Sequence, residues 1–172
     1  MPNGPIARAQ RPLWEPSDPD ETGVMETTHI YSVDIHGTGL KTGSLGSPEN
    51  LPPLFVASPP EFGGPTGIWS PEHLFVAAVS SCLMTTFTSI ADMSGLEVVA
   101  YSDSASGTLA RGDDGLYEMT DITLRPRVVI ADPVKADRAL RLLKKAEKVC
   151  LISRSIRSEV HLEPAIEIAA AA

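Results

Sequence analysis

Apolar Tyr31, Val33 and Ile35 alternate with polar Ser32, Asp34 and His36, a period of two that predicts a half-buried strand. Gly37 and Gly39 read as a turn, after which Leu40–Leu45 returns as a second strand and Leu54-Phe55-Val56 offers a third. The breaker-rich loop Ser58-Pro59-Pro60-Glu61-Phe62-Gly63-Gly64-Pro65 ends this region. Ser70-Pro71-Glu72 then supplies an N-cap, a proline at the first helical position and an acid in the first turn, which predicts a helix from Pro71 to about Met93. Leu74, Phe75, Val79, Leu83, Met84, Phe87 and Ile90 place apolar groups on nearly every face, so the helix is expected to be buried on all sides.

Val98–Ala110 and Leu116–Ile130 flank Arg111-Gly112-Asp113-Asp114-Gly115, the pattern of one long hairpin. Pro126 in its second arm implies an edge or a bulge. Asp132-Pro133 opens a second helix that runs to about Cys150. Its apolar stripe is Ala136, Ala139, Leu140, Leu143, Ala146 and Cys150, while its lysines and arginines mostly face away. Leu143 and Cys150 are seven positions apart, so both point inward at ~100° per residue. A strand at Glu159–Leu162 closes the order β-β-β-α-β-β-α-β, an α+β pattern with antiparallel sheets. The expected domain is 27–168, preceded by a proline-rich arm at 1–26 with five prolines and followed by an alanine tail at 169–172.

Composition narrows the function classes. The formal charge of −8 argues against nucleic acid or an anionic membrane as partner. No stretch approaches the ~18 apolar residues of a membrane span, and the first residues carry no apolar signal core, so a soluble cytoplasmic protein is expected. The only cysteines are Cys82 and Cys150. A permanent disulfide is uncommon in a reducing cytosol, and neither cysteine has a second Cys or a His at metal-ligand spacing, so no metal and no cofactor are expected. Two buried, inert thiols and a reactive pair both remain open on composition alone.

The run Ser70-Pro71-Glu72-His73-Leu74-Phe75-Val76-Ala77-Ala78-Val79-Ser80-Ser81-Cys82 resembles the central-helix signature of the OsmC/Ohr family. There a Pro-Glu pair opens a buried helix, with the reactive Cys ten residues after the Glu. Lys145-Ala146-Glu147-Lys148-Val149-Cys150-Leu151-Ile152-Ser153-Arg154-Ser155 resembles the family's second signature, a helix ending in Cys followed by a short Ser-containing turn. The resemblance covers residues 28–164. It implies two buried central helices wrapped by antiparallel sheets, an intertwined homodimer with its sites at the subunit interface, and reduction of an organic hydroperoxide or hydrogen peroxide. It also implies Cys82 as the thiolate that attacks the peroxide, Cys150 as the thiol that resolves the sulfenic acid, and an external dithiol as reductant.

Glu72 matches the family acid that holds an activating Arg. Ten helical residues set Glu72 about 15 Å along the axis from Cys82. Either the helix breaks between them or Glu72 serves the Cys82 of another subunit. The activating Arg itself has no counterpart in His36-Gly37-Thr38-Gly39-Leu40-Lys41-Thr42-Gly43. Lys41 or His36 can stand in for it, or Arg8, Arg11 or Arg154 can reach in from elsewhere. Lys is a point charge without the two-pronged geometry of Arg. Without an activator the same fold serves as a redox sensor or small-molecule-binding protein. His73 is assigned to the first turn of the helix and His161 to a strand's outer face. Trp69 and Phe62 are candidates for the wall of an apolar pocket.

Overall fold

The computed structural model describes residues 28–170. Two compact units divide the chain, Met1–Tyr31 and Ser32–Ala172. The proline-rich arm, with Trp14, Arg8 and Arg11, lies outside the described residues, as do the last two alanines. Of the first unit only residues 28–31 are described, and they form no regular element.

The second unit opens with β1 (Asp34–Gly39), β2 (Thr42–Gly46) and β3 (Leu54–Ala57), an antiparallel sheet in that order. The reversal between β1 and β2 falls at Leu40-Lys41 rather than at the glycines. Lys41 takes the left-handed φ of 65° that the tight turn demands, while Gly37 and Gly39 lie within the strand. The expected half-burial of the first strand is not met: β1 is exposed throughout, with Ile35 at 66%, and Val33 just before it is 73% exposed. Its alternation is real, but among the described residues nothing covers its apolar side.

The first helix, α1, runs unbroken from Pro71 to Met93. Ser70 caps it by accepting a hydrogen bond from the His73 backbone N–H, and Pro71 takes the first position, where no N–H is needed. Gly95, in the left-handed region at φ 63°, follows its end. Contrary to expectation, α1 is not buried on all sides. Val79, Leu83, Phe87, Ile90 and Ala91 face the core, whereas Phe75, Met84 and Met93 are exposed. The helix is also long and apolar enough to cross a membrane, with a mean hydropathy of 1.7 over its most apolar window, which the reading by composition excluded. Its core-facing side packs against the rest of the unit.

The long hairpin is bent into four strands: β4 (Val98–Asp103), β5 (Ser106–Arg111), β6 (Tyr117–Leu124) and β7 (Pro126–Ile130). The second helix, α2 (Ala136–Val149), follows a 3-10 turn at Pro133–Lys135 whose cap is Asp132. The chain returns as β8 (Glu159–Leu162) and then as a ninth strand, β9 (Ala165–Ile168), absent from the sequence reading. Two three-stranded sheets result, ordered β4-β7-β9 and β5-β6-β8. Each pairs its first two strands antiparallel and adds the last in parallel, so the sheets are mixed. A helix crossover brings a strand back in the same direction, and α2 supplies it.

All three chain passages change sheet at corresponding places: Ser104-Ala105, Arg125 and Glu163-Pro164. Side chain and backbone close the gap. The Arg125 N–H donates to Asp103 Oδ1 at 2.7 Å, and the Glu163 N–H donates to the Leu124 carbonyl at 2.9 Å. Pro126 is buried and heads β7, which is the central strand of its sheet and not an edge. As first residue it has no ladder N–H to lose.

The core joins Val79, Leu83, Phe87 and Ile90 of α1 to Ile122, Leu124, Val128 and Ile130 of β6 and β7, and to Ala139, Leu143 and Ala146 of α2. The alanines of α2 allow its axis to approach α1 closely. That approach positions the end of α2 beside the middle of α1.

Candidate functional site

Cys82 sits three turns into α1, half-buried. Cys150 is the residue that closes α2, fully buried at the end of the Ala139–Leu143–Ala146 stripe. Their sulfurs lie 2.7 Å apart, both thiols unbonded, with the Cys150 S–H donating toward Cys82. The inward direction expected for Cys150 is therefore observed, and the helix–helix packing brings the two sulfurs together across 68 positions of sequence.

The two thiols have different surroundings. Burial, then the hydrogen bond to Cys82, pushes the Cys150 thiol above its ordinary range. Ser153, through its side chain and its backbone, acts in the opposite direction without reversing the outcome. Cys150 is thus held as a protonated donor aimed at Cys82. The Thr86 hydroxyl stands 4.0 Å from the Cys82 sulfur, one helical turn on. Sequence reasoning passed over Thr86 and met Ser153 only as part of the Ser-containing turn of the second signature. Thr86 was visible at i+4 from Cys82, whereas Ser153 depends on the 3-10 turn Ser153–Ser155 folding back after Cys150, where the Arg154 N–H bonds the Cys150 carbonyl.

Glu72 is not brought to the thiols within one chain. Because α1 does not break, the offset of ten positions keeps the carboxylate about 15 Å along the axis from Cys82. The alternative of a broken helix is removed. Glu72 Oε2 is buried and has no hydrogen-bond partner among the described residues. Lys41 donates to the Phe62 carbonyl at 2.5 Å, which commits its ammonium to the loop before α1. His36 lies on exposed β1, and Arg154 is exposed in the turn after Cys150. Among the described residues the hydrogen-bond partners of the Cys82 sulfur are Cys150 and Thr86.

A cleft of about 850 Å³ opens between the first turns of α1, the loop before it and the β5–β6 hairpin. Trp69 and Phe62 do line it, together with Glu72, His73 and Tyr117, but neither cysteine does. His73 belongs to the first turn as expected, with its Nδ1 2.8 Å from Ser70 Oγ.

His161 lies on β8, half-exposed, in a cluster with Asp121 and Glu159 whose ligand atoms fall within 4.8 Å of one another. Its Nε2 is 3.2 Å from Asp121 Oδ1 and its Nδ1 is 3.9 Å from Glu159 Oε1. The ring thus offers opposite nitrogens to the two carboxylates, a bridge rather than one side of a coordination shell. Hydrogen bonds from Thr120 and His161 hold the Asp121 carboxyl below its usual range.

Comparison with known proteins gives the arrangement its context. The family model described as OsmC-like protein matches residues 63–165, more than half of the chain. The uncharacterised protein YmaD of Bacillus subtilis is 32% identical over 111 residues, covering 63% of this chain and 73% of its own length. Among solved structures, an OsmC-like protein of unknown function from Vibrio cholerae superposes with a TM-score of 0.74 at 24% identity, covering 80% of this chain and 99% of its own. An organic hydroperoxide resistance protein from Elizabethkingia anophelis gives 0.66 at 19% identity, covering 84% and 100%.

Proposed function

The chain belongs to the OsmC-like family, and from that premise we propose that it is a thiol peroxidase acting on organic hydroperoxides or hydrogen peroxide. The observation that carries this reading is the 2.7 Å contact between a half-buried thiol and a fully buried one. Cys82, the more accessible sulfur, attacks the terminal peroxide oxygen as thiolate. The O–O bond breaks, the alcohol leaves with a proton, and Cys82 becomes a sulfenic acid. Cys150 then displaces the hydroxyl of the sulfenic acid, giving the Cys82–Cys150 disulfide and water. An external dithiol reduces that disulfide by exchange and is itself oxidised. The raised affinity of Cys150 for its proton suits this order, since it keeps the second thiol from competing as first nucleophile.

The site is completed in a homodimer, with Glu72 of one chain serving the Cys82 of the other. Two features support this. Glu72 cannot reach the thiols of its own unbroken helix, and its buried oxygen lacks a partner among the described residues. In addition, the exposed side of α1 is already prepared for burial. The hydroxyls of Ser81, Thr85, Thr88 and Ser89 all donate to carbonyls of their own helix, and Met84 and Met93 lie exposed on the same helix. Such a surface loses no hydrogen bond when an apolar partner covers it. Two thiols that must be returned to the reduced state support a location in the reducing cytoplasm.

One equivalent of cumene hydroperoxide, added to the reduced chain and followed by mass spectrometry, is expected to convert Cys82 and Cys150 into a disulfide with release of cumyl alcohol. In Cys82→Ser no alcohol should form. Alcohol release undiminished in Cys82→Ser refutes the assignment.

A further inference from the structure

We propose that Thr86 is a positioning residue for Cys82, its hydroxyl donating to the sulfur once that thiol has lost its proton. The inference rests on the reading of Cys82 as the attacking thiolate. It supplies what that reading lacks, a stabilising group within the chain itself.

The nucleophile is a thiolate, and a half-buried one forms where a cation or a hydrogen-bond donor holds its charge. Among the described residues no lysine, arginine or histidine side chain hydrogen-bonds the Cys82 sulfur. Position 82 is also too far along α1 for the helix N-terminus to help, since that field fades within the first turn. Hydroxyl and thiol donors are what remain.

Thr86 stands apart from the other hydroxyls in the middle of α1. Ser81, Thr85, Thr88 and Ser89 donate to carbonyls of the helix, and Ser80 donates to Asp103. Among the described residues the Thr86 hydroxyl has one hydrogen-bond partner, the Cys82 sulfur at 4.0 Å. A helical threonine commonly bonds the carbonyl four residues back. For Thr86 that acceptor is the Cys82 carbonyl, which already receives the Thr85 hydroxyl at 3.1 Å. Helical side chains tilt toward the N-terminus and meet their neighbours at i−4, so the Thr86 hydroxyl leans toward the sulfur.

The Cys82 sulfur thus has two donors on different helices, the Cys150 thiol at 2.7 Å and the Thr86 hydroxyl. At 4.0 Å the contact with Thr86 is loose, as expected between neutral groups. While Cys82 is protonated either atom can donate. After ionisation Thr86 is the one donor of that contact, and the charge draws it shorter. Thr86 is itself half-buried, which limits competition from water.

The hydroxyl keeps its proton throughout. Cys82 releases its own proton to water before attack. The sulfur electron pair forms the S–O bond to the terminal peroxide oxygen and the O–O bond breaks. The departing alkoxide takes a proton from water.

The test is Thr86→Val in the full chain, which keeps the shape and removes the hydroxyl. Alkylation of Cys82 by iodoacetamide is followed by peptide mass spectrometry from pH 5.5 to 10.5. A donor that raises the thiolate population about tenfold also blunts its nucleophilicity about threefold, for a Brønsted slope of about 0.5. Thr86→Val should therefore react about threefold slower than wild type at the acid end and about threefold faster at the alkaline end. The two profiles cross. Thr86→Ser retains the hydroxyl and should follow the wild type within about twofold at both ends. A general disturbance of the fold moves both ends in one direction. Profiles that coincide or shift with one sign at both ends overturn the proposal, and so does Thr86→Ser behaving as Thr86→Val. The alkylation readout uses no peroxide, so it fails independently of the peroxidase reading. Crossed profiles in a chain that forms no disulfide with cumene hydroperoxide retain Thr86 and remove the peroxidase. A disulfide formed beside uncrossed profiles does the reverse.

Discussion

Mixing two inactive variants gives a test of whether the site spans two chains. The perturbation pairs Cys82→Ser with Glu72→Gln, each purified alone and then combined in equal amounts under conditions that exchange subunits. The geometry decides the outcome. Ten residues of unbroken helix separate position 72 from position 82 by about 15 Å, several times the reach of a carboxylate. If Glu72 serves the Cys82 of its partner, a mixed dimer holds one site with both residues intact and one site with neither. Random exchange makes half of the dimers mixed, and half of their sites intact, so the mixture regains about one quarter of wild-type activity. If Glu72 acts only on its own chain, no intact pair is created by mixing. Activity then stays at the average of the two separate variants. The assay is hydroperoxide consumption with dithiothreitol as reductant, with native mass spectrometry to count mixed dimers. Full mixing without a rise in activity refutes the shared site and sends Glu72 back to a purely structural role at the helix start.

Other expected outcomes follow from single positions. Because the folded state holds the Cys150 proton more tightly than the unfolded chain, reduced protein should lose stability as pH rises above the ordinary cysteine range; in Cys150→Ala that slope should flatten, which urea melts from pH 7 to 10 would show. Leu143→Ala removes a fully buried side chain between the two helices and should cost about 3–5 kcal/mol in the same melts, whereas a loss below about 1 kcal/mol would contradict the packing described. Met84→Arg puts a charge on the exposed side of α1 and should convert a dimer to a folded monomer by light scattering; an unaltered dimer would locate the interface elsewhere.

Local signals carried much of this architecture in the sequence. Ser70-Pro71 and Asp132-Pro133 announced the helical segments, and the stripe from Ala139 to Cys150 placed the second thiol on the inner face before any contact was known. The distance between Glu72 and Cys82 was likewise a matter of counting residues. What escaped the reading was set by nonlocal pairing. Nothing in Val98–Asp103 or Ser106–Arg111 says that one hairpin arm feeds two sheets, because the bend is stabilised from across the fold by Asp103 and Arg125. The ninth strand, Ala165–Ile168, is four residues long and finds its edge on β7 only after α2 has reversed the chain. Composition also could not tell how much of α1 a single chain covers. An apolar helix signals burial, and it is silent about which molecule supplies the cover. The missing Arg stays missing at its expected place, as Lys41 is turned toward Phe62.

The position of the two sulfurs has a mechanical consequence. A covalent link between them would close a loop of 68 positions, and chain-entropy arguments give such a closure ~4 kcal/mol at the expense of the unfolded ensemble. The stitch would fasten the middle of one core helix to the terminus of the other, where separation must begin if the centre is to open. Exposure to oxidant would leave the molecule more resistant to heat and to proteases than before, and reduction would loosen it again. The chain would then carry a physical record of its last encounter with peroxide, legible in how readily it comes apart.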